Sequence, residues 1–146
     1  MGIEHQLTII VMCTLSLVSY NSQGHGIGRI EYLNKLVNNV DFVLLQEQWY
    51  FEDEIASLSN VLQNTIVHGK SQMSSNDIHE GRPFGGCALI WKSSFKYPVI
   101  PIETESNRLC IIKCQIGSIS LLVCNVYMPC DTTTDVNNRI EYMYSA

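Results

Sequence analysis

The sequence predicts an α/β layered fold built on a mixed sheet, and three features carry that expectation. The first half alternates apolar runs with amphipathic segments, strand then helix then strand then helix, which is how an α/β layer opens. In the second half the apolar runs follow one another without helices, and Gly117 sits in a hairpin-type turn between the last two. Charged residues make up only 16% of the 146-residue chain, against 46% hydrophobic. That deficit suits strands buried on both faces.

Taken in order, the first strand is expected over Thr14 to Tyr20. A helix follows, because Ile27, Ile30, Leu33, Val37 and Val40 recur at three- to four-residue spacing and so share one face. The run DFVLLQ, Asp41 to Gln46, is the second strand. A shorter helix over Asp53 to Leu62 places Ile55, Leu58 and Leu62 on one stripe. Lys70 to Pro83 is polar and punctuated by Gly and Pro, the composition of a surface loop. GCALIW, Gly86 to Trp91, is the next strand. Leu109 to Ile116 and Ser120 to Tyr127 pair across Gln115-Ile116-Gly117-Ser118. The parallel opening and antiparallel continuation make the sheet mixed.

The N-terminal run Leu7 to Val18 has the apolar character of a signal-peptide core. However, Met1 to Gln6 carries no Lys or Arg, and Ser19-Tyr20-Asn21 is not a small-x-small cleavage site. The run is too short to span a bilayer. Residues 1–12 are therefore read as a leader or short extension merging into the first strand, with Met12 as an alternative start. Six cysteines, Cys13, Cys87, Cys110, Cys114, Cys124 and Cys130, show no CxxC spacing and no His at zinc-ligand spacing. All but Cys130 lie in or beside apolar runs, where a reduced thiol acts as a small hydrophobe. The rival reading is a small secreted protein stapled by three disulfides. The net charge of −5 offers no basic footprint for nucleic acid, although nine Lys and Arg could line one groove.

Three strands finish in polar residues just where their apolar content stops: Tyr20-Asn21, Gln46-Glu47 and Asn125-Val126-Tyr127. In α/β sheets, ligands bind in the crevice outside the carboxyl ends of strands. Asn21 and Glu47 end adjacent βα units, so both could reach one spot. A carboxylate with an amide carbonyl is hard oxygen ligation, suited to Mg²⁺ or Mn²⁺. Each residue also has a plain structural reading. Asn21 can cap its own turn, Glu47 can be a solvated strand-end or helix-start carboxylate, and Tyr127 can be a core-edge ring.

The segments SYNSQG (Ser19 to Gly24), DFVLLQEQW (Asp41 to Trp49), GRPFGGCALIW (Gly81 to Trp91), SNRLC (Ser106 to Cys110) and NVYMPCD (Asn125 to Asp131) occur in that order. Together they resemble the endonuclease domain of non-LTR (LINE-type) retrotransposons, within the endonuclease/exonuclease/phosphatase superfamily. The likeness runs from about Met12 to Asp131, so residues 13–146 are read as part of such a domain. The resemblance implies the N-terminal portion of a four-layer α/β/β/α sandwich of DNase I-like type. It implies a Mg²⁺- or Mn²⁺-dependent endonuclease that hydrolyses DNA phosphodiesters. Carried over residue by residue, it makes Glu47 the metal carboxylate and Asn21 the amide that orients metal and scissile phosphate. It makes Tyr127 a phenol donor to a phosphate oxygen, and Arg82, Asn107 and Arg108 candidate contacts to the DNA backbone.

The same resemblance implies later segments, one GDFN-like and one SDH-like, that residues 1–146 do not contain. The expectation is a truncated domain, inactive alone, whose partners are DNA, the remaining half of the domain and a downstream reverse transcriptase. Its setting is expected to be intracellular, nuclear or cytoplasmic, without membrane association. The alternatives are a catalytically inactive remnant or phosphate-binding module, and then a phosphatase or abasic-site nuclease of the same superfamily.

Overall fold

The computed structural model describes residues 13–76 and 83–128. Its strands are β1 (Leu17–Asn21), β2 (Phe42–Gln46), β3 (Thr65–Lys70), β4 (Cys87–Lys92), β5 (Val99–Ile102), β6 (Leu109–Ile116) and β7 (Ile119–Val126). α1 (Ile27–Asn39) links β1 to β2, and a 3₁₀ segment (Glu52–Ser57) leads into the single turn α2 (Leu58–Val61). The first sheet has the order β1-β2-β4-β3, with β1 parallel to β2 and β4 antiparallel to both its neighbours. The second, β5-β6-β7, is wholly antiparallel.

Strand alternation decides what each face touches. On β2, Val43 and Leu45 point to the helices, joining Leu33, Val37, Leu58, Leu62, Ala88 and Ile90 in one core. Phe42 points the other way, with Cys87, Leu89 and Trp91 of β4, and packs on Cys110, Ile112, Cys114 and Val123 of the second sheet. β2 and β4 are thus buried on both faces, as the low charge content predicts. The described layers run helices, first sheet, second sheet, matching the expected sandwich portion with its mixed sheet.

Several elements differ in detail from the sequence reading. α1 has its apolar stripe from Ile30 onward, but Ile27 in the first turn is 83% exposed, because the buried face of the helix centres on Leu33 and Val37. The expected helix Asp53 to Leu62 divides into the 3₁₀ segment and α2, while Ile55, Leu58 and Leu62 are all buried as the stripe requires. Strands β3 and β5 were not expected. Of the cysteines, Cys87, Cys110 and Cys114 are buried and free, whereas Cys13 and Cys124 are free but exposed, a correction to the core-thiol reading. Cys13 precedes the first strand, and Cys124 lies on the outer face of β7, where no described layer covers it. Cys130 lies outside the described residues. The Cys87 and Cys110 sulfurs meet at 3.2 Å between the sheets. The neighbouring thiol, and then burial, push Cys110 far above the ordinary thiol range, so it stays protonated.

Candidate functional site

The register defines a rim. Asn21 pairs with Gln46, Gln46 with Cys87, and Cys87 with Lys70. The carboxyl ends of β1, β2 and β3 and the start of β4 therefore lie along one edge of the first sheet, the crevice position of an α/β layer.

Glu47 leaves this edge in an unusual backbone state. Its φ is +53°, and Trp49 two residues on has φ +61°. Left-handed non-glycine residues cost roughly 1–3 kcal/mol each and persist only where the surroundings hold them. Here they are held. Glu47 N donates to Gly86 O at 2.9 Å, and Glu47 O accepts from Gly24 N at 2.8 Å and from Ser22 Oγ at 3.1 Å. Trp49 N donates to Gly85 O at 3.3 Å. Between them Gln48 turns inward and is 1% exposed. Its Nε2 donates to Lys70 O at 3.2 Å and its Oε1 accepts from Tyr50 N at 3.2 Å. That carboxamide occupies the space a side chain on Gly86 would need.

Tyr127 reaches the same turn from the second sheet. Its backbone N donates to Arg108 O at 2.9 Å, and a Cβ added to Gly85 would lie 3.4 Å from Tyr127 Cε1. Glu47 and Tyr127 thus flank the Gly85–Gly86 turn, one through a backbone hydrogen bond and the other with its ring where a side chain on Gly85 would reach. The Arg108 guanidinium lies beside Gln72. With the Gln72 amide oxygen turned toward it, Nε donates at 2.5 Å and Nη2 at 2.8 Å.

Two residues behind Tyr127, Asn125 locks the two sheets together at 1% exposure. Its Nδ2 donates to Leu45 O and to Ala88 O, both at 2.8 Å, and its Oδ1 accepts from Gln46 Nε2 at 2.6 Å. The sequence reading noticed Asn125 only as part of a polar strand end. The available signal was an amide at an inward position between Val123 and Tyr127 in an apolar strand.

The other expected residues are placed less uniformly. Asn21 is exposed at the end of β1, and its Oδ1 accepts from Gln23 N at 3.1 Å, the turn-capping role that its plain reading gave. Asn107 is exposed in the turn before β6. Arg82 lies outside the described residues. His25 is exposed, stacks on Tyr50 at 4.3 Å and has Nδ1 3.1 Å from Gln48 O.

Among the described residues no group of three His, Cys, Asp or Glu could hold a metal ion. This rim thus offers, among the described residues, no closed transition-metal cage. One half-buried carboxylate without an ion-pair partner among the described residues, next to an exposed amide, does fit a hard cation that keeps most of its waters and shares a phosphate.

The structure is similar to the solved endonuclease domain of TRAS1, a telomere-specific non-LTR retrotransposon. The match has a TM-score of 0.56 at 11% identity and covers 88% of this chain and 52% of that one. A weaker likeness, TM-score 0.46 at 14% identity, is to the 3′ phosphatase NExo from Neisseria bound to a product DNA hairpin, covering 75% of this chain and 40% of that one. No protein-family model matches the sequence, and no curated protein matches it. The chain spans about half the length of the TRAS1 domain. The expected α/β sandwich portion with its mixed sheet holds at the level of the fold.

Proposed function

We propose that this chain is the N-terminal part of a divalent-metal-dependent phosphodiesterase domain that acts on DNA, of the kind retrotransposons carry beside a reverse transcriptase. Glu47 is the carboxylate that holds Mg²⁺ or Mn²⁺, and the Asn21 amide oxygen, already accepting from Gln23 N, offers its second lone pair to the same cation. Tyr127 donates its phenol to a non-bridging phosphate oxygen, and Arg108, Asn107 and Arg82 supply contacts to the backbone phosphates. The observation that carries this reading is that Glu47, through its backbone, and the Tyr127 ring both border the Gly85–Gly86 turn, on the carboxyl-end rim of the first sheet.

The chemistry follows from the donors. A phosphodiester approaching attack builds negative charge on its oxygens, and a fixed phenol aimed at one of them acts as an oxyanion-type donor. The bound cation would neutralise part of that charge and assist the leaving oxygen. Residues 1–146 contain no Gly-Asp-x-Asn and no Ser-Asp-His. General acid–base help, about 10²–10⁴-fold in rate, is therefore not among the roles proposed for these residues, and this chain by itself is proposed to bind DNA rather than to cleave it.

Binding therefore tests the reading. Fluorescence anisotropy of a labelled oligonucleotide should show Mg²⁺ strengthening its association with the chain, since the cation bridges Glu47 and phosphate. Glu47→Gln should remove that increment and leave the metal-free binding as it was. Association that ignores Mg²⁺, or an increment that survives the substitution, would place the phosphate contact away from Glu47.

A further inference from the structure

Phe84 is half exposed, at 50%, at the edge of the candidate site. Phe42, by contrast, is fully buried in the core at 0% exposure. Leaving half of such a ring in water forgoes much of the stabilisation its burial would bring. The backbone presents it firmly all the same. Phe84 N donates to Met73 Sδ at 3.5 Å, and the next two residues take φ +69° and +86°. Both following glycines are buried, and their carbonyls are tied to Trp49 N and Glu47 N. The ring therefore projects from a fixed turn whose other side holds the Glu47 backbone. Tyr127 lies against Gly85, and the Arg108 guanidinium is joined to the same surroundings through Gln72.

An exposed aromatic ring one residue from Gly85, where the Gln72 amide that meets the Arg108 guanidinium also reaches, and close to the phosphate position proposed at Glu47, is the composition of a single-stranded nucleic-acid platform. Bases stack on the ring while the backbone follows the charge. Stacking of that kind needs an open base face, which a paired and stacked duplex base does not offer. We propose that Phe84 is a base-stacking residue that selects an unpaired nucleotide next to the phosphate at Glu47. The inference rests on the phosphodiesterase reading for the identity of that phosphate, and it adds the state of the neighbouring base.

The test compares the parent chain with Phe84→Leu and Phe84→Trp by anisotropy in Mg²⁺. The probes are a single-stranded oligothymidylate, a base-free oligomer with the same sugar-phosphate backbone, and a duplex of equal length. Phe84→Leu should weaken oligothymidylate binding roughly tenfold, and Phe84→Trp should retain it. The base-free oligomer and the duplex should bind parent and variants alike, because the missing partner is the base face. Unfolding midpoints should match across the three proteins, which separates a lost stack from a damaged fold. Equal oligothymidylate binding by parent and Phe84→Leu overturns the proposal. So does an equal loss on the base-free oligomer, which would make Phe84 a support for the phosphate site, or a parent chain that binds none of the three. A Glu47-dependent Mn²⁺ signal that persists in any of those cases would leave the metal-site reading standing by itself.

Discussion

Gly86→Ala should destabilise the chain by roughly 3 kcal/mol or more, the sum expected of a disallowed backbone state and an overpacked contact. Gly86 has φ +86°, a conformation that L side chains rarely adopt. The added methyl would also run into the Gln48 carboxamide from its oxygen to its nitrogen. Gln48 has no room to retreat, since it is 1% exposed and holds both Lys70 O and Tyr50 N. Moving it would leave those backbone groups unpaired in the interior, an additional cost. The Gly86 carbonyl, which anchors Glu47 N, would shift with it. Gly28 provides the contrast, for it lies within α1 and a Cβ there would meet nothing within 4 Å. Gly28→Ala should stabilise by about 0.5–1 kcal/mol through backbone entropy. Urea unfolding of both variants checks the pair. A Gly86→Ala midpoint equal to the parent's would mean that the turn is not held as described.

Asn125→Ala should cost about 2 kcal/mol and loosen the two sheets against each other. The side chain makes three hydrogen bonds inside the sandwich, two to backbone carbonyls of β2 and β4 and one from Gln46. Truncation removes all three and leaves Gln46 Nε2 and the Leu45 and Ala88 carbonyls short of a donor or acceptor in a site from which water is excluded. Leaving such groups unsatisfied costs about 1–3 kcal/mol. Asn125→Leu tests the same point differently, because it fills the volume but cannot donate. It should be destabilising as well, which a purely steric role for Asn125 would not require. The measurement is equilibrium unfolding with hydrogen exchange at Leu45 and Ala88. Unchanged stability in both variants would contradict the account of the tie between the sheets.

Much of the architecture is legible because periodicity is local. The stripe in α1, the doubly buried runs of β2 and β4, and the hairpin of β6 and β7 all follow from residues a few positions apart. β3 escapes that logic. Its sequence TIVHGK carries a histidine, a glycine and a lysine, and only its place beside β4 makes it a strand. His68 Nε2 is buried there without a partner, and desolvation lowers its pKa below the ordinary histidine value. No composition rule would have put that ring inside a sheet. β5 is four residues long with Pro101 within it, tolerated because β5 is an edge strand.

The site divides in the same way. Polar residues ending apolar strands marked the rim where Glu47 and Tyr127 lie, since strand direction in an α/β sheet sends those ends to one side. What holds Glu47 was not legible. Its left-handed backbone, the inward turn of Gln48 and the crossing amide of Asn125 all depend on contacts between residues far apart in sequence. Asn21 shows both sides of the problem. Its position at the end of β1 was readable, and its oxygen is engaged with Gln23 N, the turn role that the residues by themselves favoured and that the family resemblance set against a metal role.

The central claim is that Glu47 holds a divalent cation at the rim it shares with Tyr127. Titrating Mn²⁺ into isotopically labelled chain and following paramagnetic line broadening tests that claim most directly. Binding should be weak, with dissociation no tighter than about millimolar for one carboxylate among waters. Broadening should centre on the amides of Asn21, Glu47, Gly86 and Tyr127 and disappear in Glu47→Gln. Broadening that persists in that variant, or that centres on another part of the fold, would contradict the account.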